Sequence, residues 1–125
     1  MEFTSGGTDG PRFDFEACDI DGSNAYGSLL TVSDALSAAR AFHEAGWRVR
    51  KSSWTDFQVE HTFAEIELRG EGGDEDSVDF SGCVAPDRID DLLAAFVAIS
   101  PSYHLEIYDE FNDLVATYST ATAGA

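Results

Sequence analysis

The stretch DIDGSNAYGS, Asp19 to Ser28, decides how the first half of the chain is assembled. Counted from Asp19, it places oxygen-bearing side chains at Asp21 and Ser23, as a helix–loop–helix calcium loop does. The turn glycine of such a loop is replaced by Asn24, and its closing glutamate by Leu30. The spacing argues against a dedicated EF-hand site and leaves weak cation binding open. Asp and Asn also favour turns, because their side chains bond nearby backbone amides. The stretch is read as a polar surface loop that carries Tyr26 between a strand and a helix.

Upstream, RFDFEAC (12–18) alternates apolar and polar residues and predicts a half-buried strand. Downstream, TVSDALSAARAFHEAG predicts a helix, with Thr31 and Asp34 as a capping pair and Gly46 as its stop. WRVRKSSW (47–54) and FQVEHTFAEIELR (57–69) predict two strands. The second changes phase at Phe63–Ala64, which a bulge or bend explains. SVDFSG (77–82) predicts a short strand and PDRIDDLLAAFVAIS (86–100) a second helix. YHLEIYDE and LVATYST form a hairpin about Phe111, Asn112 and Asp113.

A shift of 56 residues aligns Asp34 with Asp90, Leu36 with Leu92 and Trp47 with Tyr103. The first half then carries about nine extra residues between strand and helix, which are the opening stretch. The expected class is α+β: two β-α-β-β units, a possible duplication, building a mainly antiparallel sheet with two helices packed on one face. The alternative is that any two such units share this pattern. Residues 1–11 are expected to be a flexible lead-in, 12–119 a single domain and 120–125 a flexible tail.

Charge is the strongest compositional signal. Twenty-four acids oppose seven bases, for a net charge of −17. Residues 70–125 hold twelve of the acids and a single base, Arg88. Such a field repels nucleic acid and anionic membrane and attracts cationic partners; solubility in a crowded cytoplasm is the plainer explanation. Nine Phe and a hydrophobic content of 43% predict a packed core rather than disorder. No apolar run approaches the ~20 residues that cross a bilayer, and no secretory signal is legible, so a cytoplasmic protein is expected. In that compartment Cys18 and Cys83 are expected to be buried thiols.

His43, His61 and His104 form no metal-binding spacing, and no phosphate loop, dinucleotide fingerprint or nucleophile elbow is present. No catalytic residue, metal or cofactor is expected. Arg48 and Arg50 share a strand face and are expected to pair with Glu65, Glu67 or Glu106. Acidic clusters remain: Asp74, Glu75 and Asp76 with Asp79; PDRIDD, which also suits a helix start; and YDEFND. In the last, Tyr108, Asp109, Glu110 and Asp113 surround Phe111. Aromatic residues inside charged rims anchor interfaces, so these residues, with Tyr26 and Trp54, are the candidate partner-binding set. The bland alternative tucks Phe111 under its hairpin.

YHLEIYDEFNDLVATYS, in a small acidic αβ chain without catalytic motifs, resembles the immunity proteins of bacterial polymorphic-toxin systems. The resemblance implies stoichiometric inhibition of a basic toxin, of the nuclease or nucleic-acid deaminase type, with carboxylates at phosphate positions. It carries over no individual residue. A DNA-mimic inhibitor and a small-ligand or calcium-binding module are the alternatives. Oligomeric state is open.

Overall fold

The computed structural model describes residues 3–14, 16, 23–30, 34–69, 77–99, 102–109 and 111–119. The opening stretch holds a strand: β1 is Ala25–Leu29. It corrects the expectation that the first strand occupies 12–18, since residues 11–14 take no regular structure and most of 15–22 lies outside the described residues. Alternation along β1 is disguised. Ala25, Gly27 and Leu29 face the core, but two of the three are small and look like turn chemistry.

Helix α1 (Ala35–Glu44) follows. Asp34, rather than Thr31, is its N-cap, its Oδ1 accepting the Ser37 amide at 2.7 Å. Thr31 lies outside the described residues. At the far end Gly46 takes φ +97°, and the Trp47 amide reaches back to the Phe42 carbonyl at 3.0 Å. That left-handed position is why the stop is glycine.

Strands β2 (Arg48–Lys51), β3 (Phe57–His61) and β4 (Ala64–Leu68) form a meander. The expected bulge at Phe63–Ala64 is instead a reversal, with His61 directly opposite Ala64. Partners across a two-residue turn share a sheet face, so the inward set passes from odd to even numbers without any bulge. Strand β5 (Val78–Val84), a 3-10 turn at Pro86–Arg88, helix α2 (Ile89–Ile99), and strands β6 (Tyr103–Tyr108) and β7 (Leu114–Ser119) complete the chain.

The seven strands lie in the order β2-β3-β4-β5-β1-β6-β7, every neighbouring pair antiparallel. Strands β1 and β5 are adjacent and opposed, and their crossovers leave in opposite directions. Right-handed connections then place both helices on the same face. The fold is the expected α+β sheet with two helices on one side. The order does not show a duplication: β2 enters at the outer edge and the chain returns inward, whereas β6 enters beside β1 and the chain runs outward. Nor does an insertion separate the halves, because the β1–α1 connection (30–34) nearly matches the β5–α2 connection (85–88) in length.

The core lies between sheet and helices. Phe42 of α1 and Phe96 of α2 meet with ring centroids 6.4 Å apart, and Phe96 also touches Phe80 and Tyr103. All of Leu29, Val59, Ile66, Leu68, Phe80, Leu92, Phe96 and Leu105 are fully buried. Each such side chain contributes about 1.5–3 kcal/mol over leaving it exposed.

Residues 3–13, largely the segment read as a lead-in, wrap the outer edge of β2. Phe3 is buried on the helix side, against His43 and Phe57. Thr4 accepts the Lys51 amide and Thr8 donates to the Val49 carbonyl, each at 2.8 Å. The segment then crosses to the other face, where the Phe13 amide donates to Glu60 Oε2 at 3.1 Å.

Candidate functional site

The face of the sheet away from the helices is polar, and its chemistry follows from register. Tyr26 of β1 stands opposite Glu106 of β6, and Ser28 opposite His104. On the other flank Tyr26 meets Ser81 and Ser28 meets Asp79. Alternation puts His104, Glu106 and Tyr108 on the same side.

The two tyrosines touch. Their rings lie 5.5 Å apart at 88°, the edge-to-face arrangement aromatic quadrupoles favour. The Tyr108 hydroxyl donates to Glu106 Oε1 at 3.0 Å, and this bond raises the phenol pKa above its usual value. Glu106 Oε2 lies 3.4 Å from His104 Nε2. The Ser28 hydroxyl donates to Asp79 Oδ1 at 2.8 Å. Hydroxyl donors thus hold both carboxylates on this face.

The β6–β7 tip continues this surface. Asp109 Oδ1 accepts the amides of Phe111 and Asp113 at 2.9 and 3.0 Å, and the Asn112 amide donates to the Asp109 carbonyl at 3.0 Å. Asn112 takes φ 65°, a left-handed position that asparagine tolerates. The locked turn presents Phe111 outward at 76% exposure rather than tucked beneath the hairpin. Leu114, opposite Tyr108, is 52% exposed. An aromatic and apolar strip of Tyr26, Tyr108, Leu114 and Phe111 thus runs to the tip, rimmed by Glu106, Asp109 and Asp113.

No protein-family model, curated protein or solved structure matches this chain. The site therefore stands on its geometry.

Of the residues singled out in the sequence, the fold unites Tyr26, Tyr108, Asp109, Phe111 and Asp113 and sets Asp79 nearby on the same face. Trp54 is separate. It is 90% exposed at the β2–β3 tip, beneath the Lys51 ammonium, at the opposite edge and opposite end of the sheet. Asp74, Glu75, Asp76 and Glu110 lie outside the described residues. Asn24, from the calcium-like stretch, has other work: its Oδ1 accepts the Val84 amide and its Nδ2 donates to the Val84 carbonyl, both at 2.9 Å. Asp19 and Asp21 lie outside the described residues, as does Cys18; Cys83 is half-buried on the polar face.

Sequence reasoning missed Glu106 and Leu114 as members of this surface. The i, i+2 spacing from Tyr108 to Glu106 was the available signal; Leu114 gave none, because its neighbour across the sheet depends on a register shift at Tyr108. The arginine pairing also differs from expectation. Arg48 pairs with Glu60, its direct register partner, instead of Glu65, Glu67 or Glu106. Arg50 faces Gln58, and its charge partly offsets the raised pKa of Glu65.

Proposed function

We propose that this chain is a non-catalytic acidic binding protein that acts in the cytoplasm as an immunity protein, inhibiting a basic toxin of the nuclease or nucleic-acid deaminase type by stoichiometric binding. One observation carries the reading: a turn locked by the Asp109 carboxylate holds Phe111 out in water beside Asp109 and Asp113. An exposed aromatic on a pre-organised turn loses little entropy on binding, and acids around it attract a cationic surface. Phe111 would enter a pocket of the toxin while Glu106, Asp109 and Asp113 face its lysines and arginines. No helix among the described residues is long and apolar enough to cross a membrane.

Calorimetric titration against the basic protein encoded beside this gene tests the reading. The expected result is a one-to-one complex that salt weakens without abolishing. In that complex Phe111→Ala costs about 2 kcal/mol, roughly thirtyfold in affinity. A neighbouring basic protein that neither binds nor is inhibited would overturn it.

A further inference from the structure

We propose that the edge formed by β7 and the outer flank of α2 is a self-association surface, on which a second copy of this chain docks across a two-fold axis. The two edges of the sheet are treated differently. The β2 edge is closed by Thr4 and Thr8. The β7 edge ends the strand order, and among the described residues Leu114–Tyr118 make no backbone hydrogen bond beyond their pairing with β6. An uncovered edge is a template for strand addition unless charge, proline or distortion guards it. LVATYS contains neither charge nor proline. Its one irregularity, the extra residue Val115, sits at the hairpin end and leaves Ala116–Ser119 in regular register with Ile107 to His104.

Helix α2 supplies the second half of the surface. From Leu92 to Ile99 it carries no charge, yet only Leu92 and Phe96 are fully buried. A right-handed β5–α2–β6 crossover turns the Ala95–Ile99 flank toward α1 and the Leu93–Val97 flank toward β7. Val97 is 58% exposed there, and Ala116 and Tyr118 of β7 are only partly buried against the core. The sheet extends one strand beyond its helical cover.

Charge selects the occupant. None of the chain's 24 acids or seven bases falls within 92–105 or 114–125. A cationic partner gains nothing on this uncharged shelf. A second −17 chain meets its least repulsion there, and antiparallel pairing of β7 with its own copy satisfies a two-fold axis. The seam would run through Ala116–Tyr118, extending the sheet from one copy into the next, with the two α2 flanks closing over it. The α2 flank, with Ala116 and Tyr118, lies on the opposite face of the sheet from the Tyr26–Tyr108 strip, whereas Thr117, opposite Glu106, lies on the same face as that strip.

Sedimentation equilibrium of the chain alone tests the proposal, from micromolar to millimolar concentration. Mutual repulsion opposes the dimer, so raising salt to roughly 0.3 M strengthens it, opposite to the effect on an acid–base complex. Val97→Glu and Thr117→Glu each act twice in a two-fold seam and weaken the dimer by about tenfold or more. Arg40→Gln changes the net charge equally on α1 and leaves the dimer unchanged; circular dichroism confirms folding of each variant. A chain monomeric throughout, a dimer that salt dissociates, or a dimer that both Val97→Glu and Thr117→Glu leave intact would each overturn the proposal.

Discussion

Arg48 of β2 and Glu60 of β3 stand directly opposite each other and form a buried ion pair, which the first described residues of the chain complete. The remaining Glu60 oxygen accepts the Phe13 amide, and Arg48 Nη2 donates to the Gly6 carbonyl at 2.8 Å. The pair therefore ties the wrapping segment to the sheet. Glu60→Gln leaves the guanidinium buried without a counter-charge and should cost about 3 kcal/mol. Exchange of the Phe13 amide should accelerate at the same time. Replacing both partners by apolar residues, as in Arg48→Met with Glu60→Leu, should cost far less. Urea midpoints of the three proteins check this; equal losses in the single and double variants would refute it.

Gly27 and Gly82 sit at close approaches between strands. A Cβ at Gly27 would fall 1.9 Å from the His104 carbonyl oxygen, and one at Gly82 would fall 2.0 Å from that of Glu65. Backbone cannot step aside as a side chain can. Gly27→Ala and Gly82→Ala should each cost more than about 4 kcal/mol, the exceptional end of single substitutions. Thermal denaturation measures it, and a loss near the ordinary 1 kcal/mol would show that the strands separate easily.

Glu65 carries a raised pKa, chiefly because it is partly buried and secondarily because Glu60 lies near. A carboxylate whose folded pKa exceeds its unfolded value of 4.5 stabilises the fold below that value. The contribution is lost as pH rises through the folded pKa. Glu65→Gln should thus stabilise the protein at neutral pH, by under about 0.5 kcal/mol at this half-exposed position, and the gain should vanish below pH 4.5. Melting temperatures across that range give the answer.

Asp34 behaves oppositely. Its hydrogen bonds from Ser37 lower its pKa, so its contribution is present above the unfolded value of 3.8 and is lost as pH falls through the folded value. Asp34→Ala should cost about 1 kcal/mol at neutral pH. Below pH 3.8 the difference from the parent should shrink; a pH-independent difference would assign the loss to something other than the cap.

Trp54 and Phe111 are the most exposed large aromatic residues described, but they occupy opposite corners of the sheet. Phe111→Ala should weaken the cationic partner, and Tyr108→Ala should do so too by removing the ring against which Tyr26 rests. Trp54→Ala should leave affinity unaltered. Parallel titrations separate the corners, and a loss at Trp54 equal to that at Phe111 would place the interface elsewhere.

Much of the fold was legible where long apolar side chains mark a period. Val49, Val59, Ile66, Leu68, Leu105 and Ile107 announce their strands, and Leu92 with Phe96 announce α2. The central strand was not legible. Packing beneath Phe80 and against the neighbouring backbone requires Gly27, and the same smallness erases the alternation that would reveal a strand. A two-residue reversal at Thr62–Phe63 was equally hidden, since it contains neither glycine nor proline and reads as a change of phase. For the candidate surface, residue type marked Tyr26, Tyr108 and Phe111 correctly as neighbours of acids. Grouping all three while excluding Trp54 needed the strand order, which no local pattern encodes.

Strand β1 is made early in the chain but pairs only with β5 and β6, which lie some fifty to eighty residues later. During synthesis the β2–β3–β4 meander can close on itself, while β1 waits unpaired until the ribosome has delivered the second half. Such distant pairing slows folding. It also means that a cut between β4 and β5 would yield two fragments, neither holding a complete sheet centre, which must find each other before either is stable.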